Sequence, residues 1–194
     1  MPQTVTKKLT VATTLKTEGN AFFSSGEYKK AIHKYNSVFL YVNGLHGSNS
    51  PMKGFFDVMG MDQMMDKKTK TEEAGVGLTE EQESDVVKLK VSTSSNLAAC
   101  HLKLGNFDKA KSHCEKVLAL DPTNSKATFR LASSSIGLNR LDSASEILKK
   151  LIAESPNDKA IRAAIEELNV KRGEDKNRQK ELRLKEKERF SGKL

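Results

Sequence analysis

The stretch ACHLKLGNFDKAKSHCEKVLALDP at residues 99–122 decides the fold, because ASSSIGLNRLDSASEILKKLIAESP at 132–156 repeats its pattern without gaps. Ala98 stands 34 residues before Ala132, Ala110 34 before Ala144, and Pro122 34 before Pro156. Each marker has a physical task. Two small side chains per unit let a pair of helices approach closely, a bulky residue four positions after the second fills the space between them, and proline stops the second helix because it cannot continue the hydrogen-bond ladder. Each unit is therefore a helical hairpin, and the fold class is all-α.

Working outward, LKTEGNAFFSSGEYKKAIHKYNSVFL at 15–40 fits the same template, with Gly19 and Ala31 at the small positions and Tyr35 at the bulky one. A 34-residue helical hairpin is the length of a tetratricopeptide repeat (TPR), and the three units resemble that family. The resemblance implies three TPR hairpins in a short right-handed superhelix. Beyond Pro156 the chain reads as one long helix with Ile161, Ile165 and Leu168 on a single face, suited to capping the last repeat. A single domain is expected, with repeat one at about 12–43, repeat two at about 91–122, repeat three at about 125–156 and the final helix at about 157–190. The helix holding Ser133, Ser134 and Ser135 has modest intrinsic propensity, so tertiary packing must support it.

Gly19 and Ala98 are 79 residues apart, which leaves a 45-residue insertion at about 44–87. It opens with Gly44, Gly47, Ser48, Asn49, Ser50 and Pro51 and continues through a methionine-rich run with Met52, Met59, Met61, Met64 and Met65. A short helix on its own domain, or no fixed structure, is the simpler reading of that run; an adaptable apolar surface for other protein partners is the alternative. At Thr79 the tetrapeptide TEEQ matches a capping box, so the first helix of repeat two is expected to start near residue 80 and to be longer than usual.

The 194 residues carry 33 Lys and Arg against 25 Asp and Glu, a formal charge of +8, so anionic partners are favoured. Residues 171–194 hold ten of those cations and five of the anions. Mixed signs on a solvated helix read as solubility, and nucleic acid is not expected because aromatic or motif support is missing. The two cysteines, Cys100 and Cys114, lack metal-ligand spacing with His33, His46, His101 or His113 and fall where helices pack, so buried inert thiols are expected. No cofactor, metal or catalytic constellation is read from the sequence. No apolar run approaches a membrane span and the polar start MPQTVTKKLT lacks a signal core, so a cytoplasmic location is expected.

The function is carried by five polar residues. The units are similar to TPR domains that bind the carboxyl-terminal tails of Hsp70 and Hsp90 chaperones, which read their ligand with polar residues at repeat positions 5 and 9, then 6, then 2 and 6. Here those positions hold Lys16 and Asn20, Asn96, and Lys126 and Arg130. Independently of the resemblance, Lys16 and Asn20 are four residues apart, as are Lys126 and Arg130, so each pair shares a helix face. By resemblance, Lys16, Asn20 and Asn96 would hold a terminal carboxylate, while Lys126 and Arg130 would meet an acidic side chain and neighbouring backbone. The aromatics Phe22, Phe23, Tyr28, Tyr35, Phe107 and Phe129 are read as core, with Phe107 stapling its hairpin turn.

The insertion, the run NLAACHLKLG and the charged last helix resemble TPR protein 9-like proteins and the TPR module of large FK506-binding immunophilins. Immunophilins carry a prolyl-isomerase domain ahead of this module, whereas about a dozen residues precede the first repeat here, so isomerase activity is not expected. Leu15, Ser94 and Thr128 stand where the family often has an aromatic. The resulting expectation is a non-catalytic co-chaperone adaptor; the alternative is a TPR scaffold for an internal segment of a cytoskeletal or trafficking partner.

Overall fold

A computed structural model describes residues 2–43, 45 and 78–191. The methionine-rich run lies outside the described residues. Among those described, the chain is all-α, with α1 (Pro2–Ser24), α2 (Tyr28–Val42), α3 (Glu80–Lys103), α4 (Phe107–Leu120), α5 (Ser125–Gly137), α6 (Leu141–Glu154) and α7 (Lys159–Ser191). They fall into two compact units, Met1–Cys100 and His101–Leu194.

In the first unit α1 packs on α2. Ala12, Val38, Val42 and Leu89 form one buried cluster, and Ala31, Tyr35, Leu97 and Cys100 form another. The second cluster exists because residue 19 is glycine: a Cβ there would stand 2.6 Å from Cε1 and 2.7 Å from Cδ1 of Tyr35. The start of α1 lies ten residues ahead of the repeat template, and Val5 in that extension is buried. Thr10, Thr14 and Thr17 donate their hydroxyls to the carbonyls of Thr6, Thr10 and Thr13, which keeps these groups satisfied along the exposed face.

The capping box is present as read. The Thr79 backbone N–H donates to Gln82 Oε1 at 3.2 Å, and the Gln82 N–H donates to Thr79 Oγ1 at 3.2 Å. Glu80, Glu81 and Glu83 then occupy the first turn of α3, where the helix macrodipole favours them. The first two turns of α3 thus lie within the stretch that repeat spacing counts as insertion, and Val86 is buried there.

In the second unit α4 packs on α5, α5 on α6 and α6 on α7. Ala132, Ile136, Ala144, Leu148 and Leu151 share a core with Ile161, Ala164 and Leu168 of α7, and Ile165 packs against it. The start of α7 therefore covers the last hairpin with the face read from its sequence. Asp158 caps it, accepting from the backbone N–H of Ala160 at 2.7 Å and of Ile161 at 3.2 Å. The serine-rich α5 is supported by burial of Ala132, Ser134, Ser135 and Ile136, while Ser134 and Ser135 both return their hydroxyls to the Leu131 carbonyl. Phe107 lays its ring against Gly137 of α5, where a Cβ would come within 2.4 Å of it.

The three hairpin turns use one geometry. Gly26, Gly105 and Asn139 take positive φ of 79°, 70° and 57°. Around each, two backbone bonds close the end of the preceding helix: Gly26 to Phe23 and Glu27 to Phe22, Gly105 to Leu102 and Asn106 to His101, Asn139 to Ile136 and Arg140 to Ser135. Asn139 is the one non-glycine residue described at positive φ, and its side-chain amide donates to Asp175 of α7 at 2.9 Å.

Gly137→Ala is expected to destabilise the protein by about 1–3 kcal/mol through overpacking on Phe107. Gly173→Ala on α7 meets open space, and should be neutral or stabilising by up to about 1 kcal/mol through helix propensity. Urea denaturation of both variants checks the contrast.

Candidate functional site

The site residues of the first unit are assembled by α1, α2 and α3. Lys16 and Asn20 lie one turn apart on α1, and Asn96 reaches them from α3. Asn96 Nδ2 donates to Asn20 Oδ1 at 2.9 Å. The Tyr35 hydroxyl donates to the same oxygen at 2.8 Å, and Asn96 Nδ2 also lies 3.4 Å from the phenol oxygen. Lys16 Nζ donates to Ser92 Oγ at 3.4 Å, and that hydroxyl donates in turn to the Leu89 carbonyl at 3.1 Å. Lys16 and Asn96 are half-buried and Asn20 is exposed, so this cluster faces solvent.

Tyr35 is 1% exposed. Its phenol is pushed up to about 12, first by burial, then by the Cys100 thiol, against the opposing hydrogen bond from Asn96. It is a neutral donor at any physiological pH. Periodicity recognises Tyr35 as a space-filling residue and misses its hydroxyl. The signal was a tyrosine at the bulky position, packed on Gly19, with Asn20 next along the chain. Ser92 was likewise missed; it lies one turn before Asn96 on α3.

In the second unit Lys126 is exposed and Arg130 half-buried, one turn apart on α5. The first turn of α5 holds no acidic residue, and Asn124 caps it by accepting from the Ala127 N–H at 2.9 Å. Lys126 thus adds a cation to the positive end of a helix, where acidic residues are usually favoured. That arrangement costs stability and favours a nearby anion. Arg130 lies close enough to Cys114 to draw its thiol downward, yet burial dominates and pushes that thiol up to about 12. Cys100 and Cys114 are both buried. A thiol so raised is a poor nucleophile.

His101 and His113 stack with ring centroids 5.5 Å apart and planes 9° from parallel. The Nδ1 atom of each is buried and makes no hydrogen bond among the described residues. Burial chiefly, then Lys116 and His101, pushes His113 down to about 4; burial and then Lys109 lower His101. Among the described residues no group of three or more His, Cys, Asp or Glu is placed to hold a metal, and no helix is long and apolar enough to cross a membrane.

Residues 101–168, which include α4, α5 and α6, match the family model described as tetratricopeptide repeat. FK506-binding protein 59 of Drosophila melanogaster is 39% identical over 98 residues, covering 50% of this chain and 22% of that protein. The C-terminal TPR-containing domain of an FK506-binding protein of Plasmodium falciparum superposes with a TM-score of 0.67 at 26% identity, over 89% of this chain and 95% of the other. The second TPR domain of human RPAP3, solved in complex with the HSP70 peptide SGPTIEEVD, shares the fold with a TM-score of 0.53 at 19% identity, over 85% and 98% of the two chains. The chain spans about a quarter of the length of the curated relatives it matches.

Because His101 and His113 are held below the ordinary histidine value of about 6.5, the unfolded chain binds protons more readily as the pH falls. Stability is full above about pH 6.5 and declines towards pH 4. Between pH 6.5 and 5, above the carboxylate range, the urea midpoint should fall, and His113→Phe should flatten that fall. An unchanged pH dependence in the variant contradicts this assignment.

Proposed function

We propose that the chain is a non-catalytic adaptor that binds the acidic carboxyl-terminal tail of Hsp90- or Hsp70-type chaperones. The residues proposed to meet the peptide are Lys16, Asn20 and Asn96 of the first unit and Lys126 and Arg130 of the second, in a TPR domain proposed to act in the cytoplasm. The observation that carries the reading is the Asn20 and Asn96 pair, with Lys16 beside it. The amide oxygen of Asn20 is occupied by Tyr35 and Asn96. N–H donors and an ammonium remain to face a ligand, and a terminal carboxylate accepts from such a set.

The peptide of the RPAP3 complex ends in two glutamates, a valine and an aspartate. Such an end offers a main-chain carboxylate beside an acidic side chain. Lys16, Asn20 and Asn96 would hold the first, and Lys126 with Arg130 the second. Hydrogen bonds to charged groups contribute about 1.5–3 kcal/mol each. A few of them plus apolar contacts give micromolar affinity, about −8 kcal/mol.

The test is a calorimetric titration with a short peptide ending in Glu-Glu-Val-Asp, once with a free and once with an amidated carboxyl end. The free form should bind at least about tenfold more tightly, from loss of one charged hydrogen-bonding group. Lys16→Ala and Arg130→Ala should each weaken binding by more than about 1 kcal/mol, and Lys103→Ala, at an exposed position, should leave it unchanged. Equal affinity for the two peptides contradicts the carboxylate reading and favours a scaffold that binds internal segments.

A further inference from the structure

The carboxylate site, as read above, needs the Asn20 side chain to present its N–H groups and not its oxygen. An asparagine amide offers an acceptor at one end and two donors at the other. Turned the wrong way, Asn20 would set its oxygen against an anion. Nothing in Asn20 itself makes that choice, since it is exposed and at the helix surface.

We infer that Tyr35 is a positioning residue for peptide binding: its buried hydroxyl fixes the Asn20 amide with the oxygen inward and the two Nδ2 hydrogens outward. The hydroxyl has one hydrogen and gives it to Asn20 Oδ1 at 2.8 Å. Asn96 Nδ2 gives a second hydrogen to the same oxygen at 2.9 Å. Turning the Asn20 amide over alone would set its Nδ2 against the Nδ2 of Asn96, donor against donor. Among the described residues no bond from Asn20 Nδ2 is seen, so its hydrogens are available to a ligand.

The phenol is itself held by packing. Its ring lies on the backbone of α1 where Gly19 has no Cβ, and Ala31, Leu97 and Cys100 share its buried cluster. Helix packing alone asks for a ring of this size, which phenylalanine also supplies. The hydroxyl adds a buried polar group, costly to desolvate unless it is bonded. Here it is bonded to the two amides that the peptide would meet. The phenol resists ionisation, so it stays a donor when an anion binds nearby. Its contribution to binding is indirect, through the orientation of Asn20.

Tyr35→Phe removes the hydroxyl and keeps the ring. The experiment measures, for wild type and variant, the affinity ratio between the free and amidated forms of the Glu-Glu-Val-Asp peptide. The ratio should shrink about five- to tenfold in the variant, the effect of one hydrogen bond, while amidated-peptide affinity stays unchanged. In an Asn20→Ala background, Tyr35→Phe should cause no further loss, because the residue it positions is gone. A purely structural role moves both peptides alike and adds to Asn20→Ala. A wild type without free-carboxylate preference overturns the function proposed above; a wild-type preference that the variant retains in full overturns only the role of Tyr35. If Tyr35→Phe does not fold, the wild-type hydroxyl proton decides. It should stay protected from exchange in NMR spectra with and without the free peptide, and loss of protection on binding overturns the proposal.

Discussion

The approach of the Tyr35 ring to the backbone of α1 at Gly19 is the contact on which the rest of the first unit depends. Any side chain at residue 19 would stand inside the ring, so α1 and α2 approach closely here only because that position is bare. The contact fixes more than a helix crossing. It places a phenol oxygen between two helices at the height of Asn20 and Asn96, and the amide pair is organised around it. The second unit meets the same demand with Ala132, Ala144 and Leu148, all buried in one core. There the bulky residue, Leu148, is aliphatic and itself carries no polar group inward.

Electrostatics complement this geometry. The chain places Lys16 against a serine hydroxyl, with no carboxylate paired to it among the described residues, and puts Lys126 at the positive end of α5. Neither choice is one that stability alone would favour. Both become reasonable if an anion is the ligand. By contrast, burial shifts Cys114 and the stacked histidines towards their neutral forms, and together with the buried Cys100 they serve packing. The polar residues that face solvent and the titratable residues that face the core thus have separate tasks, within a chain whose relatives share the repeat fold.

Much of this was legible in the sequence because it rests on spacing. The 34-residue repeat, the small residues at the helix crossings, the TEEQ capping box and the face of Ile161, Ile165 and Leu168 each follow from periodicity or turn chemistry. The full length of α1 did not, since TVTKKLTV at 4–11 is rich in β-branched residues with weak helix propensity, and burial of Val5 and Ala12 overrides it. The partner of Phe107 was also hidden. It is set by the absence of a side chain at Gly137, thirty residues on, which no local pattern reports. At the candidate site, the side-chain types were readable and the hydrogen bond from the Tyr35 hydroxyl to Asn20 was not. A pattern that scores volume cannot distinguish a phenol from a phenyl ring.

A crystal structure of the protein with a bound peptide ending in Glu-Glu-Val-Asp is the most direct measurement. The terminal carboxylate is expected within hydrogen-bond distance, about 3 Å, of Lys16 Nζ, Asn20 Nδ2 and Asn96 Nδ2, with an acidic oxygen of the ligand at Lys126 and Arg130. A peptide whose carboxyl end lies in solvent, with those five side chains uncontacted, would contradict it.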